Sequence, residues 1–133
     1  MDEARRKLID GGYAAINGGD LESALQYLDP EIEVVTSGAF LDRGEVYRGH
    51  DGVRHFLRML DDAFDEFSYQ VLEVTELDEN RVLTLLTVNA RGKGSGLDVK
   101  MPAGHIWTLG DDKALRLEAF ADHESARAAA GIG

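Results

Sequence analysis

The sequence predicts an α+β fold in which helices cover one face of a mostly antiparallel sheet, and three observations carry that prediction. Two helical patterns open the chain, one strand and a third helix follow, and four strand patterns then run on without a helix between them. Residues 101–121 alternate in a period of two on either side of turn formers at 110–112, which makes a hairpin. Residues 51–65 set Val53, Phe56, Leu57, Leu60 and Phe64 on one side of a helix.

Taken in order, residues 2–17 read as a helix with Leu8, Ile9, Gly12, Tyr13 and Ile16 at three- and four-residue spacings. Asn17-Gly18-Gly19 stops it. Asp20 suits the N-cap of a second helix running to about Leu28, where Asp29-Pro30 ends it because a residue before proline is pushed out of the α region. Residues 31–37 are rich in β-branched side chains and read as a strand. From Gly38 to His50 the pattern is irregular, with Phe40, Leu41, Val46 and Tyr47 as apolar anchors, as in the rim of a pocket. After the helix at 51–65 come strands at 67–77, 81–91, 97–109 and 114–121, and a short helix at 123–130. A strongly bent sheet wrapped around the N-terminal helices makes a cone-shaped roll.

The hairpin at 101–121 frames the functional question. Met101, Ala103, His105, Trp107 and Leu109 share one face, so a histidine stands in an apolar row. On the partner strand Leu115, Leu117, Ala119 and Ala121 share the apolar row, and the small residues leave a hollow holding an imidazole and an indole. The strand at 81–91 is apolar on both faces, with Val82, Leu86 and Val88 on one and Leu83 and Leu85 on the other, and Ile106 and Phe120 extend the outer apolar area. Too few helices are available to cover both faces, so a homodimer through the outer sheet face is expected.

Bulk properties narrow the function. A chain of 133 residues makes a single domain, 1–133. A net charge of -11 disfavours nucleic acid and anionic membrane surfaces as partners. The absence of cysteine excludes thiolate chemistry, disulfides and zinc ribbons. No apolar run spans a bilayer, and the opening Met1-Asp2-Glu3-Ala4-Arg5-Arg6-Lys7 lacks the apolar segment of a secretory signal, so a cytoplasmic location is expected. His50 and His55 do not share a helical face, and nothing has metal-ligand spacing. Gly92, Gly94 and Gly96 lack the dinucleotide pattern, and Asp61, Asp62, Asp65 and Glu66 read as a solvated helix face.

Four motifs in this order, Tyr13 to Leu21, Leu28 to Val34, Val46 to Val53, and His105-Ile106-Trp107-Thr108-Leu109 with Lys113 onward, resemble the SnoaL-like branch of the nuclear transport factor 2-like superfamily over nearly the whole chain. The resemblance implies a cone with a deep pocket, a dimer and no organic cofactor. The ketosteroid isomerases of this superfamily use an aspartate base, with a tyrosine and a protonated aspartic acid as donors. Matching through Asn17-Gly18-Gly19-Asp20 puts the base at Val35, the tyrosine at Gly12 and the acid at Gly104 or His105, so that activity is excluded. The SnoaL-like cyclases resemble this chain in a histidine on the penultimate strand and a carboxylate on the last.

The catalytic candidates are therefore His105 as acid or base, with Asp122 at the strand's end and Tyr13 assisting. Trp107, Phe40, Tyr47, Phe64, Met101, Leu117 and Ala119 are the ligand-binding candidates. The expected protein is a cytoplasmic, bacterial homodimer that binds a small apolar, polyketide- or terpenoid-like molecule and, if an enzyme, cyclises, isomerises or dehydrates it without cofactor or metal. The alternative is a noncatalytic ligand-binding or dimeric interaction module with a structural His105. Epoxide hydrolysis is a weaker option, because it needs an Asp–Arg–Asp group and Arg116 faces outward.

Overall fold

The structure, a computed structural model, describes residues 2–37 and 46–132. Its elements are α1 (Glu3–Asn17), α2 (Leu21–Leu25), β1 (Leu28–Ser37), β2 (Val46–Arg48), α3 (Gly49–Ala63), β3 (Phe64–Glu76), β4 (Arg81–Gly92), β5 (Asp98–Leu109), β6 (Ala114–Phe120) and α4 (His123–Ala130). The six strands form one curled, unclosed sheet in the order β2-β1-β6-β5-β4-β3, and only the β1–β6 pair is parallel. This is the expected α+β cone.

Helix ends follow local chemistry. Asp2 caps α1 by accepting from the Arg5 amide at 2.8 Å, and Asp20 caps α2 by accepting from the Ser23 amide at 3.1 Å. The Asn17 side chain at the end of α1 crosses to the edge strand β3, donating to the Tyr69 carbonyl and accepting from the Tyr69 amide, both at 2.8 Å. An edge strand's free backbone groups are thereby satisfied, and α1 is fixed against β3 at one position.

Boundaries differ from the sequence reading at several points, among them the change from α3 to β3 at Phe64, a residue expected on the helix. The second helix stops at Leu25 rather than Leu28, because Leu28 already pairs with Ala114 of β6 and the Tyr27 carbonyl accepts from the Ala114 amide at 2.9 Å. Sheet pairing takes the chain before Asp29-Pro30 can act as a helix stop. Val46–Arg48, expected within an irregular stretch, forms β2 by pairing with Glu33, Val34 and Val35. At the far end β6 finishes at Phe120, so Ala121 is exposed and does not continue the inward row.

The two sheet faces are covered by different parts of the chain. The inner face packs Val34, Val82, Leu86 and Val88 against Ile9 and Tyr13 of α1, Leu25 of α2 and Val53 of α3. On the outer face Leu83, Leu85, Ile106 and Phe120 form a separate buried cluster with Ala126 of α4. A Cβ placed on Gly104 would lie 2.4 Å from the Ala126 Cβ, so glycine is what lets α4 seat this closely. The apolar outer residues that prompted the expectation of a second copy are therefore buried within the chain itself. The outer face beyond α4 carries ion pairs: Glu33 meets Arg48 at 2.6 Å and Arg116 at 3.0 Å, and Arg116 meets Glu118 at 3.7 Å.

Candidate functional site

Strand register puts His105 and Trp107 on the inner face. His105 pairs with Thr84 of β4 and Ala119 of β6, and Trp107 pairs with Val82 and Leu117. From the opposite side, the helical spacing that buries Ile9 brings Tyr13 over the same spot. Its hydroxyl lies 2.6 Å from His105 Nδ1, 2.6 Å from Thr84 Oγ1 and 2.9 Å from Trp107 Nε1. His105 and Tyr13 are 4% and 5% exposed, so water does not compete for these bonds.

Proton counting limits the cluster to two arrangements. The indole N–H only donates, so Tyr13 oxygen accepts from Trp107. The phenol's single proton goes either to His105 Nδ1, with the Thr84 hydroxyl donating to the phenol oxygen, or to Thr84 Oγ1, with the Nδ1–H of His105 donating to the phenol oxygen. The first arrangement makes His105 the tautomer protonated at Nε2, and the second the one protonated at Nδ1. Burial holds the imidazole neutral, with a pKa depressed from 6.5 to about 3, and burial likewise pushes the Tyr13 phenol far above its ordinary value. The cluster is a set of neutral dipoles.

A cavity of about 70 Å³ adjoins the cluster, lined by Tyr13, Tyr69, His105 and Trp107 together with apolar side chains including Ile32, Val34, Phe56 and Leu117. It is smaller than the roughly 300 Å³ at which drug-sized sites begin. Ile16 and Leu57 line both this cavity and a groove of about 850 Å³ between the end of α1, the end of α3 and strands β3 to β5. The largely apolar cavity thus lies behind an open groove.

Of the predicted catalytic residues, the structure brings His105 and Tyr13 together and leaves Asp122 apart. The Asp122 carboxylate is the N-cap of α4, accepting from the Ser125 amide at 2.6 Å, which holds its pKa below the ordinary carboxylate range. No carboxylate is within hydrogen-bond reach of His105 among the described residues. Asp122 has the outward parity of Glu118 and Phe120, and the end of β6 hands it to helix initiation on that outer side.

The predicted ligand contacts also divide. Trp107 and Leu117 line the cavity, and Ala119 is buried opposite His105. Phe64 lines the groove. Tyr47 is buried away from the cavity, with its ring against Phe56 and its hydroxyl donating to the Met59 sulfur at 3.7 Å. Met101 packs on the inner core without lining either space. Phe40 lies outside the described residues.

Two residues of the site escaped the sequence reading. Thr84 is a polar residue in the inward row of Val82, Leu86 and Val88, the same signal that singled out His105. Tyr69 alternates with Phe67 and Val71, but a register irregularity between Val71 and Glu73 hides which face of β3 is inward until the pairing is known. Among the described residues no cluster of histidine and acidic groups is arranged to hold a metal, and no helix is long and apolar enough to cross a membrane.

A bent sheet around three helices, with a polar group at its apolar centre, defines a class of cone-shaped pocket proteins. Residues 9–117 match the family model of the SnoaL-like domain, and the chain belongs to that family. Several solved structures share the fold. An NTF2-like protein of unknown function from Burkholderia pseudomallei is 20% identical, with 96% of this chain and 97% of that one aligned at a TM-score of 0.81. TerC, co-crystallised with polyporic acid, is 23% identical over 97% of this chain and 99% of its own, with a TM-score of 0.79. A Xanthomonas campestris protein provisionally named a polyketide cyclase is 20% identical over 96% and 97%, with a TM-score of 0.77. No curated protein sequence matches the chain.

Proposed function

We propose that this chain is a binding protein for a compact, uncharged, largely apolar molecule carrying a hydrogen-bond acceptor, and that His105 meets the ligand as a donor. The observation behind this reading is the partnerless Nε2 of His105, a donor when Tyr13 gives its proton to Nδ1. Its Nδ1 is occupied by Tyr13, no partner for Nε2 exists among the described residues, and the ring borders an apolar cavity. A buried donor without a partner costs about 1–3 kcal/mol, a cost that an acceptor in the cavity would remove. A neutral imidazole is suited to polarising a carbonyl and unsuited to carrying a proton at neutral pH. The groove behind Ile16 and Leu57 supplies the approach.

The test uses protein labelled with ¹⁵N-histidine, to which cyclopentanone, methylcyclopentane and cyclopentylammonium are added in turn. The ketone should shift the His105 Nε2 resonance, the hydrocarbon should bind without that shift, and the ammonium should leave the resonance in place. An Nε2 resonance indifferent to the ketone rejects the reading.

A second reading is a cofactor-free isomerisation, cyclisation or dehydration in which His105 activates a carbonyl. Relatives named for cyclase and ketosteroid isomerase-like folds support it. Polarisation by the Nε2–H would acidify the α C–H of a bound ketone, so the check is deuterium exchange into cyclopentanone in D₂O. Exchange faster with wild type than with His105→Gln favours the catalytic reading, and equal rates favour binding alone.

A further inference from the structure

Nothing yet accounts for Tyr69. Its ring stands edge-on to His105 at 5.1 Å and to Tyr13 at 5.7 Å, and it borders the same cavity of about 70 Å³. The residue as a whole retains some exposure, yet its phenol is the buried end, and that burial pushes the hydroxyl pKa upward. No partner for this hydroxyl exists among the described residues, whereas Tyr13 in the same cavity has three. The Tyr69 backbone is clamped on both its N–H and its C=O by Asn17, so the ring is held from behind.

We infer that Tyr69 is a second ligand-contacting donor, and that with His105 it makes a two-donor site selective for a carbonyl oxygen. This deepens the proposed function and rests on it. The cavity holds only a few heavy atoms, so two donors lining it face the same ligand group rather than two separate ones. A carbonyl oxygen has two lone pairs and no proton, which matches two donors. An ammonium group can only donate and finds no acceptor there. A carboxylate would accept, but its charge would lose far more solvation than two neutral donors return. The site therefore sorts ligands by hydrogen-bonding sense as well as by size.

A partnerless hydroxyl has a distinct mutational signature. If it existed to hold the fold, Tyr69→Phe would lower the melting temperature; as a ligand donor, its removal leaves the melting temperature equal or higher. The experiment compares wild type with Tyr69→Phe, measuring the melting temperature, the affinities for cyclopentanone and methylcyclopentane, and the infrared carbonyl stretch of bound cyclopentanone. The expected result is an unchanged or raised melting temperature and ketone affinity about five- to tenfold weaker in the variant, the loss of one hydrogen bond of roughly 1 kcal/mol. Hydrocarbon affinity should be unchanged, and the carbonyl band should shift toward its position in alkane solvent. Equal ketone affinity and an identical carbonyl band in both proteins, with His105 still responding to the ketone, overturn the role of Tyr69 alone. Absence of ketone binding to wild type overturns the proposed function and this inference together.

Discussion

Residues 104 and 105 are neighbours on one strand, and their surroundings differ as far as this fold allows. Gly104 faces outward, where α4 approaches so closely that Ala126 occupies the place of a side chain. His105 faces inward, where a tyrosine, a threonine, an indole and a small cavity replace close apolar packing. Both sides are buried, and among the described residues only the inner one leaves a buried side-chain polar group without a partner. The outer side is complementary to the chain itself, and the inner side awaits something else. Burial alone therefore does not distinguish core from site; unfinished hydrogen bonding does.

The largest effect should come from breaking the inner network at its hub. Tyr13→Phe strips a partner from His105, Thr84 and Trp107 together, and at about 1–3 kcal/mol for each unsatisfied group the expected destabilisation is about 4 kcal/mol, read by urea unfolding. A loss below about 1 kcal/mol would mean that the hydroxyl does not organise the cluster.

Acidification should come next. The folded-state pKa of His105 is depressed to about 3 from 6.5, so between those values the unfolded chain binds a proton that the native chain refuses. Stability from this group is complete above pH 6.5 and is lost as pH falls toward 3. The difference between wild type and His105→Gln should carry a slope of up to about 1.4 kcal/mol per pH unit in that window. Parallel curves for the two proteins would show that His105 titrates normally.

Smaller effects should mark the outer face. Gly104→Ala forces the new methyl into Ala126 and should cost about 1–3 kcal/mol by overpacking, while leaving the His105 resonances nearly unmoved. Asp122→Ala removes the α4 cap and should lower the melting temperature slightly, with no effect on ketone binding. Loss of ketone binding in Asp122→Ala would return that carboxylate to the site.

The comparison also marks what was legible in the sequence. Period-two alternation placed His105 and Trp107 inward and Ile106 outward, because strand geometry alone decides facing once the strand is recognised. Helical spacing likewise found Tyr13. The role expected of Asp122 needed the chain to turn inward after β6, since alternation alone puts residue 122 outward with Glu118 and Phe120; capping of α4 keeps it there. The expectation of a dimer counted apolar residues on the outer face correctly, while the eight-residue α4 was hard to weigh as cover for them. Tyr69 was hidden by a register irregularity in its own strand, and its clamp to Asn17 joins residues 52 positions apart.

The central claim is that His105 is a neutral, Nε2-protonated donor turned toward the cavity. It is tested most directly by ¹⁵N NMR of the imidazole across pH 4.5 to 8, with and without cyclopentanone. The account predicts an Nε2–H tautomer that does not titrate over that range and whose Nε2 signal moves when the ketone is added. A proton on Nδ1, or titration near the ordinary histidine value, would contradict it.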